Sequence, residues 1–189
     1  MITECLISIM FALHFQIFEF CRGLIHYKTI SSYYVIEGIK TSNNNQLIRL
    51  LTFNLFHNSL NHLLINMIAF INYGITLEDF FNYYNKYLYF KILLFLMISS
   101  GILNVLFHYI TYLVTQDIKY YQVQSCGFSA VLFGLQFIFY YLLQNDFKLA
   151  FQRVFVHLVY IFLMIPGTST FGHLAGLSSG MLVVKLFNL

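Results

Sequence analysis

Charged side chains are scarce in this 189-residue chain: Asp, Glu, Lys and Arg together make up 9% of it, with a formal net charge of +3. Cations so few and so scattered exclude the basic footprint of a nucleic-acid-binding protein. Proline occurs once, at Pro166, between two apolar runs, so no run carries an internal proline that would kink a helix. Cysteine occurs three times, at Cys5, Cys21 and Cys126. The three show no metal-ligand spacing, and their odd number argues against a disulfide framework, so they read as small apolar fillers. Tryptophan is absent, and the sequence has no phosphate-binding glycine loop, internal repeat or low-complexity tract.

What the chain does have is apolar mass. Hydrophobic residues make up 59% of it, and the mean hydropathy of +0.73 is far above that of a soluble domain. Crossing a hydrocarbon core takes roughly 20 helical residues, and runs of about that length stand at 5–22, 60–78, 87–114, 128–144, 149–166 and 171–187. The runs are continuous rather than alternating, which predicts helices and not strands, although the 22 Phe and 15 Tyr would by themselves suit a sheet. Six spans in 189 residues leave no room for a separate soluble domain. The expectation is therefore one membrane domain over 1–189, an all-α polytopic bundle in the lipid bilayer, with any activity built inside it. The first run lacks the basic flank and small-residue cleavage site of a removable signal and reads as a retained span bearing His14, Gln16 and Glu19. Residues 23–56 are too long for a tight connection and mix polar with apolar side chains, which predicts a segment lying partly in the membrane interface. Basic residues do not orient the bundle: Lys86, Lys91, Lys148, Arg153 and Lys185 on one side balance Arg22, Lys28, Lys40, Arg49 and Lys119 on the other.

Ionisable residues inside spans face the bundle interior or water. His14, His26, His108 and His157 stand alone and read as interfacial or hydrogen-bonded structural residues. His62 differs, because Asn66 follows four residues later on the same helical face. A metal site using His57 and His62 is disfavoured, since five helical residues set side chains about 140° apart. Ser129 opens an apolar run directly after Gly127, where a backbone turn and a helix N-terminus lower the cost of developing charge. Gly172, Gly176 and Gly180 step along the last run at intervals of four, with His173 beside them. Such a smooth face would let His173 reach Ser129, with Phe133 under the imidazole. A serine and a histidine so placed form a nucleophile and its base, and the Ser129 amide with His62 and Asn66 would supply the oxyanion donors.

The stretches "HNSLNHLLINM", "GFSA" and "GHLAGLSSG" resemble, in order and spacing, the oxyanion, nucleophile and base motifs of the rhomboid intramembrane serine proteases. The likeness covers about residues 49–185. It implies a six-helix core with Ser129 and His173 as the catalytic pair, His62 and Asn66 as oxyanion residues, and Gly127, Phe133 and Gly176 in support. It further implies no metal or cofactor, and a site below the exoplasmic surface. Substrates would be single-span membrane proteins, reached under a gating loop at Pro166–Thr170, and Glu78 would have a structural role in tying a cytosolic loop. The "GFS" form is similar to endoplasmic-reticulum rhomboids, which implies a secretory-pathway membrane. The alternative is a rhomboid-like protein without catalysis that binds transmembrane clients. A transporter would explain the buried polar groups but predicts paired broken helices, which the sequence lacks. Two departures stand out. Ala130 replaces the usual glycine, placing a methyl where it would separate Ser129 from His173. The tryptophan of a Trp-Arg pair in the first loop is missing, leaving Arg49 as a partial counterpart.

Overall fold

A computed structural model describes the chain apart from Phe18, Lys86, Pro166 and Gly167 and the side chains of Phe20 and Ile25. About four-fifths of the described residues are helical. Among the described residues there is no strand, only an isolated antiparallel bridge between Ile30 and Ser125. Eight helices carry the argument: α1 (Ile2–Phe15), α2 (Ser32–Lys40), α3 (Leu60–Tyr84), α4 (Leu88–Thr115), α5 (Ile118–Gln122), α6 (Ser129–Gln144), α7 (Phe147–Met164) and α8 (Thr170–Leu186).

α3, α4 and α7 are long and apolar enough to cross a membrane. Of the six expected spans the other three are shorter. α6 has 16 residues and so rises roughly 24 Å, less than a hydrocarbon core of about 30 Å. It can be short because it is not a lipid-facing helix. Ala130 to Ile138 are buried without a break, which is the pattern of a helix enclosed by its neighbours. α8 lies directly against it and α4 against α8, while α7 turns Val156, Tyr160, Phe162 and Leu163 outward. The result is an all-α polytopic membrane bundle with a central pair of short helices.

The first span is shorter than its apolar run. α1 stops where Gln16 takes a left-handed conformation at φ 50°, and Glu19–Gly23 forms a separate turn. Its start is fixed by Glu78, whose carboxylate accepts from the Ile2 N–H (2.6 Å) and the Thr3 N–H (2.9 Å). Both are N-terminal amides with no partner inside their own helix. Glu78 is thus structural, but it ties the first helix rather than a loop. α3 also differs from expectation, running on past residue 78 to Tyr84 and widening into a π-turn at Ile71–Ile75.

The segment 23–56 folds over one end of the bundle as α2 and several short turns. Ile30 and Ser125 exchange backbone hydrogen bonds of 2.9 Å in both directions, joining this segment to the connection between α5 and α6. Arg49 fastens it from inside. Its Nη1 donates to the Thr29 carbonyl (3.0 Å) and its Nε to Gln46 (2.8 Å), and the guanidinium lies 4.1 Å from the Tyr34 ring centre. Pro166 and Gly167, the first two of the five residues of the expected gating loop, lie outside the described residues, as does Lys86 of the basic-residue balance.

Candidate active site

The site is assembled around the N-terminus of α6. Gly127 sits at φ 117°, a backbone region closed to most side chains, and its N–H donates to the Phe53 carbonyl at 3.0 Å. A side chain there would also lack space: a Cβ would fall 2.6 Å from His62 Cε1 and 2.9 Å from His62 Nε2. The Asn66 Nδ2 would be 3.7 Å away. Glycine therefore brings the bare backbone before the helix up against the two polar side chains of α3. Ser59 caps α3 by accepting from the His62 N–H at 3.2 Å, and this fixes the register that turns His62 and Asn66 toward Gly127.

α6 and α8 touch backbone to backbone. A Cβ on Gly176 would collide with the carbonyl of Ala130, and one on Gly180 would lie 2.6 Å from the carbonyl of Gly134. With nothing between the helices, His173 Nε2 reaches Ser129 Oγ at 3.1 Å. Phe133 stacks on the His173 ring with centroids 4.7 Å apart and planes 22° from parallel. The methyl of Ala130 does not separate the pair, because Ala130 meets Gly176 through its main chain. α8 itself begins on Ser169, whose hydroxyl accepts from the Gly172 N–H at 3.2 Å and lies 3.3 Å from the Ser125 hydroxyl.

Asn66 is 4% exposed, and its Nδ2 has no hydrogen-bond partner among the described residues. A buried amide donor without an acceptor costs on the order of 1–3 kcal/mol, so its persistence beside Gly127 needs a reason. Ser129, by contrast, is partly buried rather than fully enclosed.

His57 is the residue whose part the sequence did not reveal. Its Nε2 accepts from the Phe128 N–H at 3.3 Å, one residue before the serine. The helical argument that parts it from His62 fails, because α3 begins at Leu60 and His57 lies ahead of the cap. The two rings meet edge to face with centroids 5.1 Å apart. Among the described residues no three His, Cys, Asp or Glu side chains cluster as metal ligands. Cys126, two residues from Phe128, donates its thiol to Asn58 Oδ1 at 3.0 Å. Burial pushes that thiol up to about 11, which leaves no thiolate to compete at neutral pH. His108, expected to be interfacial or hydrogen-bonded, is buried edge-on against Phe171, with neither ring nitrogen bonded among the described residues.

Comparison with known families gives a match to the rhomboid domain over residues 44–188, most of the chain. The chain belongs to the rhomboid family. No curated protein matches it significantly. Membership makes this rhomboid an integral membrane protein whose relatives are intramembrane proteases and their inactive homologues. The matched region begins within the segment that covers the bundle end and closes at the end of α8, so it takes in every residue of the site just described.

Proposed function

We propose that this rhomboid is an active intramembrane serine endopeptidase that cleaves single-span membrane proteins. The observation that carries the reading is the 3.1 Å contact between His173 Nε2 and Ser129 Oγ, with the Asn66 donor, unpartnered among the described residues, alongside. In the reaction His173 Nε2 takes the hydroxyl proton as Ser129 Oγ attacks the scissile carbonyl carbon, and the same proton then passes to the departing amine. The carbonyl oxygen becomes an oxyanion. Asn66 Nδ2, the His62 ring and the Ser129 N–H at the start of α6 are the donors to receive it, which gives the free Asn66 amide its acceptor. Water activated by His173 then releases the acyl group from Ser129. On this reading the positioned side chains and the helix terminus supply the stabilisation.

A substrate helix has to unwind before its carbonyl can meet Ser129, because an intact helix hides its backbone. On this reading the site lies below the exoplasmic surface, and the 1–189 chain acts as one membrane domain in a secretory-pathway bilayer. The competing reading, a client-binding rhomboid without catalysis, has no observation of its own in its favour, since both reacting groups are present and in contact. The test is cleavage of a model single-span protein by purified protein in liposomes, together with labelling by a fluorophosphonate. Cleavage and labelling should both vanish in Ser129→Ala, and cleavage should vanish in His173→Ala. Unlabelled wild-type protein that nevertheless captures the uncleaved substrate would establish the client-binding reading instead.

A further inference from the structure

Among the described residues no carboxylate bonds to His173, so something other than an acid must hold its imidazole. Phe133 stacks on it, but a phenyl ring makes no directional bond and is only as well placed as whatever holds it in turn. That support comes from another helix. His157, on α7, stacks on Phe133 with centroids 5.5 Å apart and planes 24° from parallel, giving a three-ring series His173–Phe133–His157. His157 cannot turn freely, because its Nδ1 donates to Gln136 Oε1 at 2.9 Å and Gln136 Nε2 donates to the Tyr73 hydroxyl at 3.2 Å. An amide oxygen only accepts, so this bond also places the His157 proton on Nδ1. Tyr73 belongs to the π-turn of α3. Gln136 is buried, where an amide bonded at both ends is rigid and an unbonded one is costly.

We infer that His157 is a positioning residue for the base, acting through Phe133 and locked by Gln136 and Tyr73. A histidine present only to satisfy Gln136 would have no need to lay its face on Phe133, and the shared near-parallel planes are what favour the positioning role. The inference rests on the Ser129–His173 chemistry proposed above, and it couples that chemistry to the seating of α7. That helix buries little besides Ala150, Val154 and Leu158, so displacing it would withdraw the backing ring from the base.

Three variants separate the ring from the hydrogen bond. His157→Leu removes both, His157→Gln keeps an amide able to bond Gln136 but has no ring, and His157→Phe restores a ring without the bond. Each is purified as the full chain in detergent. Two readouts are taken, kcat and KM on a single-span substrate and the NMR signals of the isotope-labelled His173 ring. In Leu and Gln, kcat should fall about 10- to 100-fold with KM unchanged, the scale expected of a misplaced reacting group. The His173 ring signals should leave their stacked positions in both, and Phe, which restores the ring without its lock, should recover most but not all of both readouts. Equal losses in Leu and Phe, or readouts in Gln matching the wild type, would overturn the inference. The NMR arm does not depend on turnover. Wild-type protein that never cleaves, yet whose His173 signals move in Leu and Gln and largely return in Phe, would sink the peptidase reading and leave His157 in its role.

Discussion

At the scale of single residues, function and stability pull apart most clearly at Asn66. Its Nδ2 bonds nothing among the described residues, so Asn66→Ala removes a desolvated donor without breaking a hydrogen bond seen there. Replacement should leave the thermal midpoint unchanged or raise it, while kcat falls by on the order of 10²-fold for loss of an oxyanion donor. Calorimetry and cleavage kinetics on the same preparation check this. A lowered midpoint with unaltered kcat would make Asn66 a packing residue. Gly127 gives the opposite pattern, since alanine there meets both the positive φ and the His62 ring. Gly127→Ala should therefore lose fluorophosphonate labelling and stability together, whereas a labelled and fully stable variant would show that the loop can shift to take a methyl.

Between elements, the decisive contact is the one where α6 and α8 run without side chains between them. Gly176→Ala places a methyl inside the Ala130 main chain, so α8 must move away, and His173 with it. Overpacking of this kind costs about 1–3 kcal/mol, and labelling of Ser129 should be lost even though neither reacting group is changed. Gly23→Ala, with nothing within 4 Å of the added Cβ, is the matched control and should keep wild-type labelling; equal loss in both would point to general fragility. The same contact explains what the sequence made legible. His62 with Asn66, and Gly172, Gly176 and Gly180, are patterns of one helix's own faces, and helical periodicity reports those directly. Ser129 and His173 followed because smooth faces meet. Features joining separate elements left no periodic trace. His57 acts from ahead of its helix, Glu78 caps a helix 75 residues away in sequence, and Tyr73 depends on a π-turn that no hydrophobic pattern encodes. His157 looked solitary for the same reason: its partners Gln136 and Phe133 lie on α6. Even the end of α1 is set by one left-handed residue inside an apolar run that continues beyond it.

For the whole molecule, the shortness of α6 within longer neighbours determines which solvent the site meets. Its 16 residues start at Ser129 and end at the Asn145 turn, where a left-handed residue closes the helix. The Ser129 end is covered by the segment bridged at Ile30 and Ser125, and the Asn145 end faces the opposite side of the bundle. The two ends must differ in access if α3, α4 and α7 span the bilayer. With Cys5, Cys21 and Cys126 replaced by serine, single cysteines at Ser129, at exposed Gln116 beyond α4, and at exposed Asn145 can be tested in sealed vesicles with a membrane-impermeant maleimide. Ser129→Cys and Gln116→Cys should be modified from the same face, Ser129 more slowly because that residue is partly buried while Gln116 is exposed, and Asn145→Cys from the other face alone. Modification of all three from one face would mean that α6 does not carry the chain across. A Ser129 cysteine that is inert from both faces would mean that the serine is sealed from water, and a hydrolase cannot work without water at its acyl intermediate.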